Sequence, residues 1–449
     1  MSAVTSVESG YAWIESFHGI DRGDFKANRS RLARMRSLLH DFDDPHIACR
    51  VIHVAGSKGK GSTAALIGAV LDAAGYRCGV YSSPHVETHR ERVRVLDGSL
   101  TDDLAVELFR RIERHIDTIR PLTPRHMLPT FFELVTLFGF LAFRETGCDV
   151  AVVEVGIGGR TDATNLVRPV ASVITPVELE HTDRLGFTLR AVAGEKAGTI
   201  KRGVPVFVGS QHREALETIR RVAELRSAPV HVLEEHTVSL DTDLSLDGTT
   251  MALLLANGRS VRTTLRLIGR VHAENAALAA FVVSGVFRDV PADRIAAGLA
   301  AAWIPGRSEL VPGQPAVLLD GAHTERSIGL LCDTAAELCP DRARRVAVFG
   351  SVVGKNHAAM LARLVPAFSR IVITRPGTFK PSDLDVLCDT CRSLAGVCEV
   401  CEDTDAAIAA ARRPAEGVAP GLIVVTGSFY LVGAARARLR AEQGTGTAR

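Results

Sequence analysis

The 449-residue chain is 46% hydrophobic and 23% charged, apolar enough for more than one core, and its length favours two domains. Fifty-three Lys and Arg against 51 Asp and Glu leave a formal charge of +2, so no global field steers it toward nucleic acid or an anionic membrane. Nine cysteines, an odd number spread along the chain, fit reduced thiols in a cytoplasmic protein better than a disulfide framework.

Residues 1–34 mix charges with single apolar residues and lack the basic start and apolar core of a secretory signal. The first strong element is an apolar strand at 51–55, which runs into Gly56-Ser57-Lys58-Gly59-Lys60-Gly61-Ser62-Thr63 and then a helical pattern at 64–74. Glycines let such a loop curl its N–H groups inward, the helix N-terminus adds partial positive charge, Lys60 offers a mobile cation, and Ser62 or Thr63 offers a hydroxyl. The spacing departs from G-x-x-x-x-G-K-[ST] because Gly61 separates Lys60 from Ser62; a tight exposed turn is the alternative reading. The apolar stretch 134–143 is about half of the ~20 residues that a membrane span needs and reads as a buried helix.

Strands at 150–155 and 171–175 alternate with helical patterns to about residue 300, the pattern of a parallel sheet covered by helices. A Pro305-Gly306 breaker follows, and a fresh series of strands begins at 316–320, 345–350, 370–374 and 422–426. The expected fold class is therefore α/β, with a nucleotide-binding domain over 1–303 and a smaller Rossmann-like domain over 304–449. Cys388, Cys391, Cys398 and Cys401 have the ligand count of a zinc site. A helix at 382–394 followed by a strand at 396–402, however, would turn Cys398 and Cys401 to opposite faces. The tail after Arg440 is of low complexity and reads as frayed.

Further motifs follow in order: Tyr81-Ser82-Ser83-Pro84-His85, Glu91-Arg92, Thr130-Phe131-Phe132-Glu133, Glu154-Val155-Gly156-Ile157-Gly158-Gly159-Arg160-Thr161-Asp162-Ala163, Glu180-His181, Glu195-Lys196, Pro305-Gly306-Arg307, Asp320-Gly321-Ala322-His323 and Thr426-Gly427-Ser428. In this order and spacing, over roughly residues 51–432, the chain resembles the folylpolyglutamate synthase and dihydrofolate synthase family of the Mur ligase superfamily. The resemblance implies a P-loop ATPase domain followed by a Rossmann-like domain, the division that the strand pattern gives independently.

By that resemblance Ser83, Glu154 and His181 hold Mg2+, and Lys196 matches a position that is carbamylated to hold a second ion. Ser57, Lys58, Gly59, Lys60, Gly61 and Ser62 would bind ATP with Asn275, Arg307 and Asp320, while Lys60, Lys196 and His323 would act in catalysis. Thr130, Phe131, Phe132, Glu133, Thr161, Asp162 and Ala163 fall where relatives hold a pterin-bearing acid, although a Phe-Phe pair alone is more often core. Each ligand has a plainer reading: Ser83 can begin a turn, Glu154 can pair with an arginine, His181 can be a structural histidine, and Lys196 can be an ordinary helical lysine paired with a carboxylate. The implied reaction is ATP-dependent joining of L-glutamate to a folate or pteroate carboxylate, on small molecules only and by a monomer.

Several positions depart from the common bacterial pattern: Lys58 and Thr324 where Asn is usual, Glu180 and Asn356 where Asp is usual, and Val271-His272 where His-Gln is frequent. Residues 24–32 also lack a clear Gly-Leu-x-Arg motif. These bear on the acceptor more than on ATP chemistry. The same ligase chemistry on a non-folate acid, and a P-loop kinase or nucleotide-binding regulator, stand as alternatives; a kinase would not need Lys196, Arg307 or Asp320.

Overall fold

The computed structural model describes residues 3–19, 29–377, 381–414 and 417–444; residues 24–28 of the early segment and the last five residues lie outside these. Seven strands form the first sheet: β1 (Arg50–Ala55), β2 (Cys78–Tyr81), β3 (Val93–Val95), β4 (Val150–Glu154), β5 (Pro169–Ile174), β6 (Val206–Val208) and β7 (Val230–Val232), in the order β3-β2-β4-β1-β5-β6-β7. Only β3, at an edge, is antiparallel. The central strands read as unbroken Val, Ile and Ala runs because both faces are covered. Ile52, Val54 and Val152 face the helices Lys60–Ala73 and Arg270–Val286, while Val51, Ala151 and Val153 face the helices Asp102–Ile119 and Phe131–Glu145.

A second, antiparallel sheet joins β8 (Thr237–Ser245), β9 (Gly248–Leu255) and β10 (Ser260–Leu265), which corrects the expectation of continued strand–helix alternation to residue 300. Strand β8 is half-buried with period two, and the turns hold Asp247-Gly248 and Asn257-Gly258, pairs whose ease at positive φ favours hairpins. Met251, Leu253 and Leu255 of β9 turn inward to the first core.

The third sheet comprises β11 (Glu309–Val311), β12 (Ala316–Leu319), β13 (Arg345–Phe349), β14 (Arg370–Thr374), β15 (Cys398–Cys401) and β16 (Leu422–Thr426), ordered β11-β12-β16-β13-β14-β15. All but β11 run parallel, with their own apolar cores on each face. Cys398 packs on one face, its Sγ 3.0 Å from that of Cys388, and Cys401 packs on the other, so the four thiols do not converge. The helix Phe429–Gly444 runs through Arg440, so the segment 441–444 expected to fray is helical.

Candidate active site

Neighbouring parallel strands deliver the chemistry-bearing residues to one crevice at their carboxyl ends, flanking β1 where the strand order reverses. Strand β1 ends at the glycine loop, β4 ends at Glu154, β5 leads to Glu180 and His181, and β2 leads to Ser83. The loop's helix begins at Lys60 rather than 64, so its N-terminal N–H groups face the crevice.

Gly59 caps that helix at φ +79°, where a Cβ would also stand 2.4 Å from Asn275 Oδ1. A Cβ on Gly61 would stand 3.1 Å from Glu154 Oε2, which accounts for the unusual glycine after Lys60: the loop lies directly against a buried carboxylate. Ser57 Oγ donates to the Glu178 carbonyl at 3.0 Å and accepts the Glu178 N–H at 2.9 Å, tying the loop to the segment that carries His181.

Glu154 is 3% exposed, and its Oε2 accepts the Ser83 N–H at 2.8 Å. Among the described residues no side chain forms an ion pair with it, and burial raises its pKa against the charge of Lys60. An unpaired buried carboxylate is costly without a cation. Ser83 and His181 line the same cavity, and burial lowers the His181 pKa and keeps its ring neutral. An oxygen-rich set with one imidazole fits a divalent cation.

Lys196, 1% exposed, lies beneath this wall rather than on it. Its Nζ donates to the Gly56 carbonyl and to Glu180 Oε1, both at 2.7 Å. Burial, then the charge of Lys60, pulls its pKa down to about 8 against the pull of Glu180.

From the third-sheet side, Arg307 places its guanidinium 4.2 Å from the Phe429 ring centroid, with its pKa lowered by burial. His323 Nδ1 lies 2.8 Å from the Gly321 carbonyl and burial holds its pKa at about 4, so the ring is neutral with Nδ1–H donating and Nε2 left as acceptor. Asp320 is off the wall: it accepts the Ser308 N–H and hydroxyl and the Ala322 N–H, fixing the turn beside Arg307. Asn275 is likewise behind the loop, accepting Thr63 Oγ1–H at 3.4 Å.

The crevice holds one cavity of about 500 Å³. Ser57, Lys58, Gly59, Lys60, Gly61, Ser62, Ser83, Glu154, His181, Arg307 and His323 share it with Thr130, Phe132, Glu133, Thr161, Asp162 and Ala163. Phe131 does not; it stacks on His18 at 4.0 Å. Glu133 is engaged by Arg34 Nε, at 3.1 and 2.8 Å, and by the Thr130 N–H at 2.8 Å. Asp162 accepts the N–H groups of Gly156 and Ile157 and the hydroxyl of Thr164, whose Oγ1 in turn accepts Nε2–H of buried His53. Both carboxylates therefore shape the wall. Arg92, from the Glu91-Arg92 motif, also lines it, as do Arg31, Arg34 and Phe429, which sequence reasoning did not single out; for the two arginines the Arg-rich run beginning at Arg29 was a signal.

Residues 54–283 match the Mur ligase middle domain and residues 306–429 the Mur ligase glutamate ligase domain. A dihydrofolate synthase/folylpolyglutamate synthase of Bacillus subtilis is 33% identical over 80% of this chain and 83% of its own length. The chain belongs to the folylpolyglutamate synthase and dihydrofolate synthase family of Mur ligases. Within this family, a probable bifunctional folylpolyglutamate synthase/dihydropteroate synthase of Halobacterium salinarum is 37% identical over 89% of the chain, which spans about half (48%) of that relative's length. A Mycobacterium tuberculosis folylpolyglutamate synthase, solved in complex with ADP, superposes with a TM-score of 0.86 at 30% identity, covering 96% of this chain and 99% of that one. Among the described residues no helix is long and apolar enough to cross a membrane.

Proposed function

We propose that the chain is an ATP-consuming amide ligase that joins L-glutamate to a folate or dihydropteroate carboxylate, working in the cytoplasm as a monomer, with its two lobes dividing at 1–303 and 304–449. The carrying observation is the convergence, on one cavity, of the glycine loop, the unpaired carboxylate of Glu154 and Arg307 from the opposite lobe. The relatives' names and the ADP-bound structure of a family member support the reading.

A carboxylate resists an amine because its leaving group would be oxide. Transfer of the γ-phosphoryl to it gives an acyl-phosphate, from which the amine displaces phosphate to leave the amide. Here Lys60, the loop N–H groups and Arg307 stabilise charge on the transferring group. Ser83, Glu154 and His181 would hold Mg2+, which when bound neutralises phosphate charge. Lys196 supports a carbamate on chemical grounds: with a pKa of about 8, about a tenth of the amine is neutral at pH 7. The modification would replace its ion pair with Glu180 by two facing anions, so it requires a further cation there.

The test is phosphate release with Mg-ATP and L-glutamate, offering dihydropteroate and tetrahydrofolate in turn, with mass spectrometry of the products. A gain of one glutamate on either acceptor is the expected result and tells the two activities apart. Release and ligation with neither acceptor would overturn the folate reading and direct the search to other carboxylic acids.

A further inference from the structure

Among the described residues Arg436, on the helix Phe429–Gly444, is the largest of the fully buried side chains, and nothing in the reaction above uses it. Its Nε donates to both oxygens of Glu309, at 3.0 and 2.8 Å, its Nη1 donates to Glu87, and its guanidinium carbon lies 4.7 Å from the Trp303 ring centroid. Glu309 Oε2 also accepts the N–H of Gly306 at 2.8 Å, one residue before Arg307. Glu87 belongs to the loop after Ser83, whose Val86, Glu87 and Thr88 N–H groups all donate to Glu91.

The backbones are pressed together around this charge. A Cβ on Gly433 would stand 2.4 Å from the Val86 carbonyl oxygen, and one on Gly306 2.9 Å from Val86 Cγ1. One guanidinium thus joins the loop that follows Ser83 in the first lobe to the connector that carries Arg307 into the second.

Among the described residues two other ion pairs cross between the lobes, Arg326–Glu178 and Arg270–Glu337, but their arginine side chains are 66% and 58% exposed, against 2% for Arg436, whose partner Glu87 is 31% exposed. Exposed pairs hold little, whereas removing one partner of a buried pair leaves a charge stranded. We propose that Arg436 is a positioning residue, an interlobe latch that sets the Ser83 loop and the Arg307 connector in register for the reaction. The mechanism it serves rests on the ligase reading; the latch itself does not.

Glu87→Gln removes only the cross-lobe half of the latch. Hydrogen exchange of the ligand-free full chain, read by mass spectrometry on peptides covering 84–92 and 303–309, is expected to rise about 10-fold in both peptides, within the usual range of site-to-site coupling. Glu337→Gln, which breaks an exposed interlobe pair, is expected to leave both unchanged. Arg436→Met leaves Glu87 and Glu309 facing without a cation and should open the peptides further, and adding Glu87→Gln to it should bring exchange back toward wild type. In the ligase assay, Glu87→Gln should raise the KM for ATP and lower kcat. Unchanged exchange in Glu87→Gln, or an equal rise in Glu337→Gln, overturns the latch. A wild-type chain that ligates no folate acceptor overturns the function instead, and the exchange arm still decides the latch.

Discussion

Replacing Glu133 separates two roles that one carboxylate plays. It faces Arg34 with side-chain exposures of 4% and 10%, and it closes the capping box of the helix Phe131–Glu145 through the Thr130 N–H. Glu133→Gln keeps an amide that can cap but strands the Arg34 cation, which costs about 3 kcal/mol, the lower end for breaking a buried pair. Glu133→Ala loses the cap as well, adding about 1 kcal/mol. Against a domain stability of about 5–15 kcal/mol, either is a large fraction. Urea unfolding followed by far-UV circular dichroism reads the losses, and the acceptor KM should rise because Thr130 and Phe132 sit on the same turn. Arg34→Met combined with Glu133→Gln should be more stable than Glu133→Gln alone, since the stranded charge is gone. Losses under about 1 kcal/mol, or strictly additive ones, would refute the buried-pair reasoning.

Burial holds His53 at a pKa of about 3 in the folded chain, below its ordinary 6.5. The unfolded chain therefore binds more protons between these values, and the stabilising contribution, complete above pH 6.5, is lost as pH falls toward 3. At pH 5 the loss from this residue is about 2 kcal/mol, and His53→Gln should shrink the wild-type drop in urea midpoint between pH 7 and 5; an unchanged drop would exclude His53. Glu154→Gln should abolish turnover, and Lys196→Ala should cut it severely in the phosphate-release assay, full activity in either removing that residue from the mechanism. Gly156→Ala would drive a Cβ to 2.5 Å from the Phe132 ring, so the acceptor KM should rise about 10-fold while nucleotide binding, followed by fluorescent ATP analogue titration, stays as in wild type.

The strands with both faces buried were legible as short runs rich in Val, Ile and Ala; β1, β4, β5 and β12 to β14 all fall within a residue or two of their expected limits. The antiparallel sheet was missed although Asp247-Gly248 and Asn257-Gly258 marked its turns, since β9 carries the Met-Ala-Leu-Leu-Leu run, which has no strict alternation in composition. The site divides similarly. The residues proposed to meet phosphate or metal sit at strand ends, in motifs local to the sequence, so spacing locates them. Arg34 with Glu133, and Arg436 with Glu87, are separated by 99 and 349 residues, and each arginine alone reads as one more charge on an amphipathic helix. Only the packed chain shows that both are buried.

The departures at Lys58 and Glu180 are one feature rather than two. Glu180 reaches Lys196 Nζ at 2.7 Å, and an aspartate there would be one methylene shorter. Burial pushes the Glu180 pKa up, but Lys196, Lys60 and Lys58 together outweigh it and hold the carboxylate ionised. Burial likewise lowers Lys58, with Glu180 and Glu178 opposing. A cation at 58 adds to the lysines around the loop, and the longer carboxylate at 180 answers it from the same wall while reaching down to Lys196. Glu180 and Lys58 both line the cavity, so the added cation and the longer carboxylate face each other across the same wall, where a polyphosphate drawn in by the lysines of the loop would compete with Glu180 for them.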